Sequence, residues 1–143
     1  MKKVIIIILM LFMNAYLFPL KIKTGIEISG HIIPYFSVTV CSYKNIETEL
    51  GTGFLVMKGK NYLFEPFVKI KYFTDPGINL ELNTKIIKVS SEKRILILSG
   101  IGAGYNFLND KLNISAAAEI MLPFSAVRKI SGPVPMITID YLF

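Results

Sequence analysis

The chain ends Met136-Ile137-Thr138-Ile139-Asp140-Tyr141-Leu142-Phe143. Ile137, Ile139, Tyr141 and Phe143 fall on one face of an extended segment, and Thr138 and Asp140 fall on the other. Side chains of a strand alternate between faces with period two, so this run predicts a strand with one apolar and one polar side. The same alternation recurs through the chain after residue 20, and no helical period, repeat or low-complexity tract interrupts it. That restricts the fold to an all-β one whose strands are amphipathic.

Seven further alternating runs precede the terminal one. The first covers residues 22–30, with Ile22, Thr24, Ile26 and Ile28 opposite Lys23, Gly25, Glu27 and Ser29. The second covers residues 32–41, where Pro34 removes a ladder donor and predicts a strand end or bulge. The third, residues 47–57, sets Leu50, Thr52, Phe54 and Val56 against Glu47, Glu49, Gly51 and Gly53. In the fourth, Tyr62, Phe64, Pro66, Val68, Ile70 and Tyr72 oppose Glu65, Lys69 and Lys71, and Thr74-Asp75-Pro76-Gly77 is a turn signal. The fifth has Ile78, Leu80, Leu82, Thr84 and Ile86 opposite Asn79, Glu81, Asn83 and Lys85. The sixth, residues 94–107, carries Gly100, Gly102, Gly104 and Asn106 on its polar side. The seventh, after Asn109-Asp110, has Leu112, Ile114, Ala116, Ala118, Ile120 and Leu122 opposite Asn113, Ser115 and Glu119.

Eight strands of about ten residues, tilted about 40°, rise roughly 25 Å, the height of the apolar band of a membrane barrel. The composition agrees. The chain of 143 residues fits one domain and is 52% hydrophobic and 18% charged. Beyond residue 20 no apolar run approaches the ~20 residues of a membrane helix. Ahead of the strands, Lys2 and Lys3 precede an apolar run over residues 4–13, the layout of a secretory signal peptide. Residues 1–20 are therefore expected to be an export signal, cleaved between about residues 15 and 20, and residues 21–143 the barrel. An uncleaved anchor over residues 4–20 is the alternative, and Asn14 and Pro19 weigh against it. Cys41 is the single cysteine, which excludes an intramolecular disulfide and a cysteine-based metal site.

Three segments carry a family resemblance: Phe64-Glu65-Pro66-Phe67-Val68-Lys69, Gly100-Ile101-Gly102-Ala103-Gly104-Tyr105-Asn106-Phe107 and Tyr141-Leu142-Phe143. With the export signal, they resemble the small outer-membrane β-barrel proteins of the OmpA-transmembrane-domain type. The resemblance spans nearly the whole chain after the signal. It implies an eight-stranded antiparallel up-and-down transmembrane barrel in the bacterial outer membrane, and a terminal strand (Ile139, Tyr141, Phe143) read as a signal by the barrel-assembly machinery. The connections are shorter than is usual in that family, and no periplasmic domain is expected.

Sorted by face, Lys23, Glu27, Glu47, Glu49, Glu65, Lys69, Lys71, Glu81, Lys85, Glu119 and Asp140 all fall on the proposed inner side. Both signs are present, so pairing across a narrow lumen and a plugged interior are expected. With the N-terminus in the periplasm, the odd-numbered connections face outward. They hold Lys58, Lys60, Lys93, Arg94, Arg128 and Lys129, opposed only by Glu92. This is a candidate basic rim for the phosphates of lipopolysaccharide. Tyr43, Tyr62, Tyr72, Tyr105 and Tyr141 sit near strand ends, where interfacial aromatic girdles belong.

No catalytic, cofactor or metal site is expected. His31 is the only histidine, and no nucleophile motif surrounds it or the nearby Ser29 and Ser37. Gly100, Gly102 and Gly104 alternate within a strand and open no phosphate-binding helix. The basic residues lack interleaved aromatics, so nucleic acid is not an expected partner. The leading expectation is a monomeric outer-membrane barrel of structural or interaction type in contact with outer-membrane lipid. Two rivals remain: a lipid-modifying outer-membrane enzyme using His31, and a periplasmic lipocalin-like carrier of an apolar ligand with its faces inverted.

Overall fold

The computed structural model of the chain describes residues 21–57, 61–74, 77–90, 95–122 and 132–143. They form eight strands: β1 (Ile22–Ile28), β2 (Ile32–Tyr43), β3 (Ile46–Val56), β4 (Tyr62–Phe73), β5 (Ile78–Val89), β6 (Ile95–Phe107), β7 (Leu112–Met121) and β8 (Val134–Leu142). Each strand pairs antiparallel with its sequence neighbours, and β8 closes on β1, giving an up-and-down barrel. The closing register places Ile26 beside Ile139 and Thr24 beside Tyr141, and the Phe143 N–H donates to the Ile22 carbonyl at 3.2 Å. Closure removes both sheet edges, leaving no unpaired row of backbone groups to recruit another chain.

The start of β1, the end of β8 and the β2–β3, β4–β5 and β6–β7 turns share one end of the barrel, here the terminal end. The other four connections leave from the opposite end. The β2–β3 and β6–β7 turns at the terminal end are tight and strained. Lys44 is left-handed (φ 52°), as are three successive non-glycine residues, Leu108, Asn109 and Asp110 (φ 52°, 54° and 65°).

The alternation resolves into an outside and an inside. Ile28, Phe36, Leu50, Phe54, Val68, Ile70, Leu80, Leu82, Ile101 and Ile137 are among the apolar side chains exposed on the outer wall. Hydroxyls on this wall are satisfied by the barrel itself. Thr24 Oγ1 donates to the Tyr35 carbonyl at 3.1 Å, Ser99 Oγ donates to the Asn83 carbonyl at 3.0 Å, and Thr84 Oγ1 lies 3.1 Å from Ser99 Oγ. Polar atoms facing an apolar medium require such partners. Tyr43, Tyr72, Tyr105 and Tyr141 ring the outside at the terminal end, and Tyr62 stands at the other.

Two features depart from the sequence reading. Pro34 neither ends β2 nor bulges it. It points outward within the strand opposite Ile26. The bulge lies instead between Thr39 and Cys41 in the pairing with β3. The extra residue shifts the parity, so Cys41 is exposed rather than on the charged face. The second feature is aromatic. Tyr35 and Phe67 point inward, with ring centroids 5.4 Å apart and planes at 88°. Each lies across the ladder from a glycine, Tyr35 from Gly25 and Phe67 from Gly51. An eight-stranded lumen has little room, so a ring can lie across it only where the facing position has no side chain. A Cβ on Gly51 would collide with the Phe67 ring and stand 2.7 Å from the Phe36 carbonyl oxygen. Gly51→Leu is therefore expected to destabilise the barrel by about 1–3 kcal/mol. A urea titration of the refolded variant measures this, and an unchanged midpoint would contradict the packing role given to this glycine.

Candidate functional site: the barrel interior

Every strand contributes polar side chains to the interior. All eleven charged residues named above are buried there, together with Ser37, Thr39, Asn79, Asn83, Asn113, Ser115 and Thr138. They divide into two ion-pair clusters separated by the aromatic pair.

The first cluster lies toward the terminal end. Lys21 and Lys23 both engage Glu47, and Lys23 also engages Glu49. Lys71 reaches across from β4 to Asp140 of β8 at 2.8 Å, to Glu49 at 3.5 Å, and to Asn113 Oδ1 at 3.4 Å. Asn113 in turn donates to Asn106 Oδ1 at 2.6 Å. The second cluster centres on Lys85. Its ammonium engages Glu27, Glu65 (3.3 Å) and Glu119 (2.9 Å), drawing β1, β4 and β7 toward β5. Between the clusters, Lys69 lies 5.6 Å from the centroids of both Tyr35 and Phe67, and 3.9 Å from Glu81. Ser115 and Thr138 join their hydroxyls at 2.5 Å. A buried charge is tolerated only when paired, and these pairings join strands distant in sequence.

Toward the other end the inner face turns apolar. Ile33, Leu63, Leu98 and Met136 are buried there. The alternation did not single these out, because the outer wall on the same strands is apolar too. Within the described residues, the charged middle holds a cavity of only about 10 Å³ beside Glu119 and Asn83. A cleft of about 270 Å³ opens at the terminal end.

The remaining sequence-based candidates are dispersed. Lys58, Lys60, Lys93, Arg94, Arg128 and Lys129 lie outside the described residues, as does the export segment 1–20. Ile139 and Tyr141 face outward on β8, and Phe143 is the exposed end of that row, its ring edge-on to Tyr141 at 5.4 Å. His31 is exposed in the β1–β2 turn, and its carbonyl accepts the Ser29 N–H at 3.1 Å. Ser29 Oγ donates to Glu27 at 2.7 Å and Ser37 Oγ to Glu49 at 3.5 Å, so neither hydroxyl is engaged with His31. No three His, Cys, Asp or Glu side chains among the described residues are grouped to hold a metal ion. An apolar-ligand carrier needs an apolar interior, whereas here the apolar wall is outside and the ion pairs inside.

No family model matches the chain, and no curated protein matches it. Three solved structures are similar in fold. A structure described as de novo design of transmembrane β-barrels superposes with a TM-score of 0.52 at 13% identity, covering 87% of this chain and 92% of the other. The solution structure of the de novo designed TMB2.3 gives a TM-score of 0.56 at 12% identity, covering 86% and 94%. The N-terminal β-barrel domain of Pseudomonas aeruginosa OprF gives 0.50 at 12% identity, covering 87% and 96%. The chain thus has the fold of small eight-stranded transmembrane barrels of the OmpA-like type.

Proposed function

We propose that this protein is exported to the bacterial outer membrane and serves there as a monomeric barrel of structural or interaction type with a plugged, non-conducting interior. The observation that carries the reading is the distribution of charge. Eleven ionisable side chains are buried inside, and the outer wall presents exposed apolar side chains to its surroundings. In water that arrangement would bury charge while exposing hydrocarbon, and both are unfavourable; in a bilayer it is the arrangement barrels adopt. Plugging follows from the ion pairs. Lys71–Asp140 and Lys85–Glu27 tie opposite sides of the lumen, and the aromatic pair lies between them.

Two measurements test this. Membrane fractionation with heat-modifiable gel mobility is expected to place the protein in the outer membrane and show a folded form that shifts on boiling. A carbonate-soluble protein without a shift would defeat the proposal. Purified barrel in planar bilayers is expected to give no steady conductance, and a stable open channel would remove the plug while leaving the location intact. The basic residues of the odd-numbered connections are proposed to meet lipopolysaccharide phosphates. Replacing Lys58, Lys60, Lys93, Arg94, Arg128 and Lys129 with Gln is expected to weaken lipopolysaccharide association, and unchanged association would dispose of the idea.

A further inference from the structure

The two ion-pair clusters differ in their balance of charge. Toward the terminal end, Lys21, Lys23 and Lys71 meet three acids, Glu47, Glu49 and Asp140. In the middle, Lys69 and Lys85 face four: Glu27 from β1, Glu65 from β4, Glu81 from β5 and Glu119 from β7. Across the ladder from Glu65 and Glu119 stand Gly53 and Gly100, while β2 and β8 add Tyr35, Met136 and Thr138, so those strands bring no further charge. All six charged groups of the middle are at most 5% exposed. An excess of two negative charges in so dry a place is costly, and buried carboxyls relieve such a cost by keeping protons. A hydrated cation has no room to do so. The cavity of about 10 Å³ beside these groups admits at most about one water.

The contacts locate one proton. Glu27 accepts from the Lys85 ammonium and from Ser29 Oγ, as an ionised carboxylate does. Glu65 has Lys85 only at 3.3 Å, and its Oε2 is buried without a hydrogen-bond partner. Yet the Glu27 and Glu65 carboxyls stand within hydrogen-bonding reach of each other. Two ionised carboxylates are acceptors only and repel at that range, whereas one O–H turns the contact into a hydrogen bond. We infer that the middle of the barrel is a proton-binding site, in which Glu65 stays protonated at neutral pH and donates its O–H to Glu27. Losing that proton sets two carboxylates side by side and adds a charge for which the cluster has no ammonium. The folded barrel is therefore weakened as pH rises, the opposite of what a salt-bridged carboxylate does. The inference concerns the interior alone and does not depend on where the barrel resides.

The test compares the full barrel with Glu65→Gln, both folded in detergent micelles. The variant keeps the shape of the side chain and an N–H donor for Glu27, and heat-modifiable mobility checks that it folds. Glu65→Met is the second variant, with the same expectations. Infrared spectra at neutral pH are expected to show the C=O band of a protonated carboxyl in the wild type and a loss of intensity there in the variant. Urea titrations between about pH 5 and 8 give the second reading. Above the ordinary glutamate range, near about pH 4.3, the unfolded chain has released this proton and the folded barrel retains it. The folded state then binds one proton more than the unfolded state. Its folding equilibrium constant is expected to fall about tenfold per pH unit relative to the variant, until Glu65 itself ionises. Titrating groups common to both proteins cancel in that comparison. A wild type without the protonated-carboxyl band, a band of equal intensity in the folded variant, or the same pH dependence in both proteins would each overturn the assignment.

Discussion

Lys85→Met is expected to lower the stability of the folded barrel by about 3–5 kcal/mol, because it removes one partner from a buried ion cluster and leaves the others uncompensated. Lys85 is the single ammonium among Glu27, Glu65 and Glu119, and all four groups are almost wholly shielded from solvent. Methionine fills similar space, so the loss reads the charge and not the packing. Unfolding in urea from lipid vesicles, followed by gel mobility, measures it. Adding Glu27→Gln, Glu65→Gln and Glu119→Gln to the lysine variant is expected to recover most of the loss, since neutral side chains can be buried where lone carboxylates cannot. A wild-type midpoint for the single variant would mean that the cluster contributes nothing. Failure of the quadruple variant to recover would mean that lysine acts through packing.

Deleting Phe143 is expected to reduce insertion in cells by about tenfold or more while leaving export intact and spontaneous folding into vesicles nearly unchanged. The physical contribution of Phe143 to the folded barrel is small. Its ring is largely exposed, and its backbone supplies one closing hydrogen bond, to Ile22. Such a bond contributes only about 0.5–1.5 kcal/mol. A large cellular defect beside a small in-vitro one would therefore identify the terminal ring as something an assembly machinery reads. Equal losses in both assays would make it an ordinary structural residue, and normal insertion of the shortened chain would end the proposal.

Much of the architecture was legible because strand alternation is a local property. Eight runs of period two and their approximate limits follow from neighbours one and two positions away. The Thr39–Cys41 bulge was not legible, since nothing in Val38-Thr39-Val40-Cys41 breaks the pattern, and the irregularity exists only relative to β3. Pro34 misled for the opposite reason. Its local cost is real, but it can be met within a paired strand when the missing donor is not needed there. Alternation puts Tyr35 and Phe67 on the charged faces of β2 and β4, but their edge-on contact and the facing Gly25 and Gly51 that make room for it arise only from strand pairing.

The sequence by itself determined which residues share a face, and hence that the charges gather on one side of each strand. It left open whether that side looks at water or at other charges, and which partner each charge finds. Tertiary structure decided both. Lys71 meets Asp140 sixty-nine residues away, and Lys85 meets Glu27 fifty-eight away. Those pairings depend on the stagger of strands around a closed barrel, a global quantity fixed only when β8 meets β1.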